Sequence, residues 1–380
     1  MTKKRVLVGL SWGVDSAVSA YLLKEQGYDV VAGFMKNYAD ESNPNCHTRE
    51  DRNMAIKVAQ HLGIQDFVIF DFREEYQERI INYIYEWYKQ GITPNPDILC
   101  NNLVKFDLFL EKAMAYGFDY IATGHYARVS SVILSETQWS EESSISKDPS
   151  TSAIASAQDD KSYQLLRGLD HNKDQSYFLS GLNQQQLSKS LFPVGELTKP
   201  EVRAIAEKIW LPNADRKDSQ WLCFIGNVPM REFLKQKLPT KSWDIVTTDW
   251  EVVGQHDGAW FWTIGQSRGL DLNKKAYVVA TDIKKNTVTV SFDRDNQELL
   301  HEKASCTNRH RINPNHSNTE MKVGVKIRYR QDPPVAATLN WNEKNNTMNI
   351  LFTEPQWGIA PWQSIVAYDG EVCLGGGVIV

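Results

Sequence analysis

Two cysteines close enough to chelate a metal are missing from this chain. Its five cysteines, Cys46, Cys100, Cys223, Cys306 and Cys373, are scattered over 380 residues with no C-x-x-C pair. An odd, widely spaced set argues against a disulfide scaffold and against a zinc knuckle. No stretch reaches the roughly 18 unbroken apolar residues of a membrane helix. The first residues, MTKKRVLVGL, enter an apolar run at once, with no signal or transit pattern. The cytosol is the expected address, with no membrane partner. An excess of positive charge is lacking too. The net charge is −5, which excludes a globally basic nucleic-acid binder but leaves local basic patches open. The two common phosphate signatures, G-K-[ST] and G-x-G-x-x-G, are both absent.

What the chain does hold begins at residues 5–23, RVLVGLSWGVDSAVSAYLL. An apolar run stops at the loop S-W-G-V-D-S, and an amphipathic pattern follows. This predicts strand, tight loop, helix, and the N–H groups of such a loop favour an anion. Further apolar runs at 30–35, 67–72 and 118–124 alternate with helix-period segments at 50–62, 74–90 and 102–116. The alternation predicts an α/β domain with a parallel sheet whose ligands sit at the carboxyl ends of its strands. Residues 130–161 contain ten serines and little periodic apolar content; a flexible surface insertion is expected. Helical texture returns at 183–190 and 198–209. After about residue 228 short alternating runs and turn residues predict a β-barrel module. In KVGVKIRYR (322–330), Val323, Val325, Ile327 and Tyr329 share one parity, and Lys322, Lys326, Arg328 and Arg330 the other. As a strand this has an apolar inner face and a cationic outer face suited to nucleic acid.

S-x-G-x-D-S after a strand resembles the PP-loop of the ATP pyrophosphatase superfamily. NPDILCNNLVKF (95–106), TGHYAR (123–128), NKDQSYFL (172–179), DSQWLCFIG (218–226), TIGQSRGL (263–270), RYRQDP (328–333) and the closing APWQSIVAYDGEVCLGGGVI together resemble the tRNA-specific 2-thiouridylase (MnmA) family. The resemblance runs in order from residue 5 to the end. It implies a PP-loop catalytic domain over 1–228, a small central domain over 229–272 and a tRNA-binding β-barrel over 273–380. The implied activity is ATP-dependent 2-thiolation of the wobble uridine of the tRNAs for Lys, Glu and Gln. Sulfur would come from a cysteine desulfurase or a relay protein.

By the same resemblance, Gly9, Leu10, Ser11, Trp12, Gly13, Val14, Asp15, Ser16, Met35 and Gly124 bind ATP with magnesium. No protein metal site is implied. Cys223 looks like the persulfide carrier, and Cys100, 123 residues earlier, like the thiol that releases the sulfur. Asp97 looks like the acid/base group, with Asn95 and Pro96 beside the target base. His125, Lys173, Asp174, Gln175, Arg328, Tyr329 and Gln363 match tRNA-contacting positions. The chemistry asks for such groups. A C2 carbonyl oxygen becomes a leaving group only once adenylated. A sulfur nucleophile must then attack, and a second thiol must release it. Two alternatives stay open: a catalytically degenerate tRNA-binding homologue, and a PP-loop amide ligase, which has no use for Cys100 and Cys223 together.

The chain departs from the family where glycine is usual, at Trp12, Trp210, Trp221 and Trp362. It holds 12 tryptophans in all. An indole at position 12 is expected to block close approach of a phosphate and to conflict with glycine's dihedrals. Repeated exchange of glycine for tryptophan points to one codon, UGA, read two ways.

Overall fold

Strand β1 (Arg5–Gly9) is buried on both faces, as a central parallel strand should be. Val6 and Val8 pack on one side with Ala17 and Val18 of the helix Val14–Glu25. Leu7 packs on the other with Phe106 and Phe109. In this computed structural model, residues 3–38, 48–133, 161–217, 229–313, 320–342 and 344–380 are described. β2 (Asp29–Lys36), β3 (Phe67–Asp71) and β4 (Tyr120–Ala122) fall on the predicted runs. Between them lie the helix Thr48–His61, a helical run over 73–89 and another over 96–115. β5 (Ala127–Ile133) and β6 (Lys161–Arg167) form an antiparallel pair, and β7 (Ser190–Leu191) joins the first sheet. That sheet is parallel with order β3-β2-β1-β4-β7. The expected insertion at 130–161 thus begins and ends in paired strands. Its stretch 134–160 lies outside the described residues.

Beyond the helix Lys199–Lys208, the helix Met230–Lys235 leads to β8 (Trp243–Thr247) and β9 (Val252–His256). These form one four-stranded sheet with β10 (Tyr277–Asp282) and β11 (Thr287–Ser291). The central unit therefore includes strands beyond residue 272. β12 (Leu300–Arg311), β13 (Glu320–Lys326), β14 (Val335–Asn342), β15 (Thr347–Trp357), β16 (Ser364–Asp369) and β17 (Val372–Ile379) follow. Their order is β12-β15-β14-β13-β16-β17, and β17 pairs back to β12, which closes a six-stranded barrel with no free edge. β17 also pairs with β6 of the first domain, Val372 opposite Leu166. Barrel and first domain thus share a continuous sheet.

Candidate functional site: a phosphate loop and a three-domain joint

The loop after β1 is organised by its own serines. The Ser11 N–H donates to Ser16 Oγ at 3.1 Å, the two hydroxyls lie 3.0 Å apart, and the Gly13 N–H donates to Ser11 Oγ. Gly124, at the end of β4, lies against this turn. A Cβ there would stand 2.6 Å from the Ser16 nitrogen, so only glycine allows the approach. Met35, at the end of β2, lies 3.3 Å from where a Cβ on Gly9 would be. Gly9, Leu10, Ser11, Trp12, Gly13, Val14, Asp15, Ser16, Met35 and Gly124 therefore meet at the carboxyl ends of adjacent strands. Asp15 accepts from Tyr126 Oη at 2.8 Å and from Lys199 Nζ at 2.6 Å. Trp12 does not adopt a left-handed backbone, contrary to expectation. Its carbonyl accepts from Asn213, and the Arg216 guanidinium stacks 4.1 Å from its ring centre.

A second cluster forms around 93–100. Asn95 caps the helix Pro96–Cys100 by accepting from the Ile98 N–H at 3.3 Å. Pro96 supplies a preset φ at the helix start. Asp97 is half-buried in the first turn, and Cys100 is buried at 1% exposure. A π-helical segment, Asn101–Leu108, follows at once. Just before the helix, Thr93 is held from both of the other domains. Gln363 of the barrel donates to the Thr93 carbonyl, and Thr263 of the central domain shares a hydroxyl bond with Thr93 at 2.8 Å. Tyr177 of the catalytic domain donates to Ser364 O at 2.7 Å. Tyr329 lies 4.3 Å from the Phe178 ring and donates to the Lys173 carbonyl. Burial, with the Asp174, Asp170 and Asp97 charges nearby, pushes its phenol up to about 12. Arg328 is half-buried and donates to Ile327 O and Gly358 O; this burial pulls its guanidinium below the usual arginine range.

Some expected contact residues face inward instead. Asp174 is 2% exposed. Its carboxylate accepts from Arg167 Nε and Lys326 Nζ, both at 3.0 Å, and from the Gly168 and Ser176 N–H groups. Burial alone would raise its pKa; the Lys326 charge and the Ser176 hydrogen bonds more than offset this and hold it below the carboxylate range. Asp332 binds Arg167 as well. The predicted cationic outer face of 322–330 is therefore not what forms. β13 ends at Lys326, which is 1% exposed, its ammonium turned in to Asp174 of the 168–176 loop. Gln175 exchanges hydrogen bonds with the Tyr126 backbone. His125 is buried between Lys105, 3.5 Å from Nε2, and Thr123, 2.7 Å from Nδ1. Burial, then the Lys105 charge, push its pKa well below 6.5, so it is neutral at pH 7.

Cys223 and Cys46 lie outside the described residues, as does Trp221. Cys306 and Cys373 are buried in the barrel, and burial raises both thiols, Cys373 to about 12. Sequence reasoning missed Lys199, Lys105 and Thr263. Lys199 opens a helix as T-K-P-E, which reads as a cap and not as a partner for a residue 184 positions away.

The chain matches three family models in succession. They are a tRNA methyl transferase HUP domain over 4–227, a tRNA methyl transferase PRC-barrel domain over 231–292 and an aminomethyltransferase beta-barrel domain over 301–379. A tRNA-specific 2-thiouridylase MnmA of Nitrosomonas europaea is 44% identical over all of this chain and 99% of its own length. Proteins of the same name from Burkholderia pseudomallei and Ralstonia pickettii are 43% and 42% identical, over all of this chain and 94% and 96% of theirs. The chain belongs to the MnmA family. Its parallel-sheet domain, four-stranded central sheet and closed barrel are the family's three parts in order.

Proposed function

We propose that this protein is an ATP-dependent tRNA sulfurtransferase that converts the wobble uridine to 2-thiouridine. The observation that carries the reading, beside family membership, is the joint at Thr93–Cys100. The stretch of chain that leads into an N-P-D turn and a buried thiol on one short helix is tied at Thr93 to both the central domain and the barrel, which suits a site that must place one nucleotide of a large substrate.

Apart from Trp12, the residues fit ATP. The turn at Ser11–Ser16 offers N–H groups at a helix start, Gly124 lets the chain pack closely there, and Asp15 with Lys199 brings paired charges to its rim. When bound, ATP would supply the adenylyl group, and Asp15 would hold its magnesium. The uridine O2 attacks the α-phosphorus and pyrophosphate leaves. Asp97 takes the N3 proton. The persulfide of Cys223 attacks C2 through its terminal sulfur, and AMP departs with the oxygen. The Cys100 thiolate then attacks the inner sulfur. The S–S bond of the adduct breaks, a Cys100–Cys223 disulfide forms, the base takes its N3 proton back from Asp97, and thiolated tRNA leaves. An external reductant resets the pair. Lys173, Arg328, Tyr329 and Gln363 would contact the tRNA in this reading. The wobble base must be splayed from its stack to reach it. The donor is a cysteine desulfurase or relay protein, the tRNAs are those for Lys, Glu and Gln, and the cytoplasm is the compartment.

The test is radioactive sulfur transfer into unmodified tRNA with ATP, magnesium and a persulfide donor. Incorporation that Cys100→Ser and Cys223→Ser each abolish is expected. Incorporation that survives both would remove the cysteine roles, and none from either the chain as written or Trp12→Gly would remove the activity.

A further inference from the structure

Among the described residues, seven that are not glycine have a positive φ. Four are Asp271, Asn286, Asn308 and Asn346, the residue types that tolerate this region. The other three are all tryptophan: Trp210 at +55°, Trp250 at +66° and Trp362 at +70°. A bulky side chain there is an outlier, and no other large residue of the described chain does this.

Each of the three sits in a different turn, and each turn has a glycine position. Trp210 ends the helix Lys199–Lys208. Its N–H donates to Glu207 O and the Leu211 N–H donates to Ala206 O, the paired bonds of a Schellman cap with Trp210 at the left-handed position. The same two bonds end four other helical runs, at Gly27, Gly63, Gly91 and Gly117, and each of those has glycine at positive φ. Trp250 is the third of four residues joining β8 to β9, with Trp250 N–H to Thr247 O at 3.0 Å and Thr247 N–H to Glu251 O at 2.8 Å. That is a type I turn closed by a left-handed residue, where glycine is favoured. The β10–β11 and β14–β15 turns place Asn286 and Asn346 at their left-handed last positions. Trp362 follows Pro361 in a turn closed by Gln363 N–H to Ala360 O. Proline then a residue at positive φ is the type II turn, whose third residue is glycine.

Packing gives no reason for the indoles. Trp210 is 83% exposed and Trp250 69%. Only Trp362 has a ring partner among the described residues, Trp87 at 5.0 Å. Three unrelated turns share one residue error and no environment. A cause outside the fold is required, and the shared element is the codon.

We infer that the natural polypeptide carries glycine at 210, 250 and 362, from UGA codons that one genetic code reads as glycine and another as tryptophan. Position 12 follows from the same codon, since its backbone is not left-handed and gives no independent sign. There the change removes the indole that Arg216 covers and turns S-W-G-V-D-S into S-G-G-V-D-S. That consequence, though not the inference itself, deepens the proposed function: the phosphate loop of the natural protein is free of its largest side chain.

The test reads the gene and the protein made by its own cells. UGA codons at 12, 210, 250 and 362 and glycine masses in the peptides spanning 210, 250 and 362 are expected. A UGG codon or a tryptophan mass at any of the last three overturns the inference. A second measurement uses recombinant protein: the chain as written beside a Trp210→Gly, Trp250→Gly, Trp362→Gly variant. A higher thermal midpoint for the variant is expected, because three strained backbones relax. An equal or lower midpoint overturns the backbone argument. Neither measurement depends on sulfur transfer, so failure of the proposed function leaves both readable.

Discussion

Lys199 shows how a single side chain can carry a site that its own segment does not reveal. Its ammonium lies 2.6 Å from Asp15 and 5.8 Å from the Tyr126 ring centre, only 12% exposed. A cation at the rim of an anion-binding turn can exchange a carboxylate for a phosphate as ligand enters. Lys199→Ala is expected to lower kcat/KM for ATP by about 10- to 100-fold, the value of one charge-assisted hydrogen bond of about 1.5–3 kcal/mol. Steady-state kinetics with tRNA saturating measures it, and Lys199→Arg should recover part of the loss. His125 makes a different prediction. Its pKa falls from 6.5 on folding, so the unfolded chain binds the extra proton first. Its contribution to stability is full above about pH 6.5 and is lost as pH falls toward the folded value. Denaturant titrations at pH 7.5 and 5.5 should show that loss, and His125→Gln should reduce the difference.

At the scale of elements, the face of β13 was the expectation that tertiary structure reversed. Strand parity places Lys322 and Lys326 on one side, and Lys322 is indeed exposed. Parity cannot say that a loop from 152 residues earlier will bring Asp174 to 3.0 Å from the Lys326 Nζ. The result is an ion cluster, buried at Arg167, Lys326 and Asp174 and open to solvent at Asp332, that joins catalytic domain to barrel. Removing one member leaves buried charge unpaired. Asp174→Ala is expected to cost about 3–5 kcal/mol, read as a drop in unfolding free energy. The Asp174 pKa is depressed in the folded state, so its stabilisation holds above the ordinary carboxylate value and is lost as pH falls below it. A wild-type acid transition that moves little in Asp174→Asn would count against this joint.

For the whole molecule, the point of interest is that Thr93 is held by Thr263 and Gln363, from the other two domains. These bonds touch neither the phosphate loop nor a thiol. If the joint positions Asp97 and Cys100 for a tRNA base, Thr263→Val with Gln363→Ala should lower sulfur transfer several-fold. ATP binding should stay within about twofold, and the thermal midpoint within a few degrees, since each lost bond is worth about 1 kcal/mol. Parallel measurement of nucleotide affinity, melting and thiolation separates this from simple unfolding. An equal loss in all three would mean that the joint only stabilises the fold.

Local rules determined much of this protein from sequence alone. The runs at 5–10, 30–35, 67–72 and 118–124 became adjacent parallel strands because continuous apolar segments between helices have nowhere else to be buried. The loop after β1, the N-P-D cap and the barrel texture were legible because turn, cap and alternation chemistry acts within a few residues. Long-range contacts decided the rest. Lys199 reaching Asp15, Asp174 turning inward and Lys105 beside His125 all depend on which surfaces meet across more than a few residues of chain. No periodicity records that. The left-handed backbone at Trp210, Trp250 and Trp362 belongs to both: the turns are local, but only the folded chain shows that each turn holds its glycine shape with a tryptophan in it.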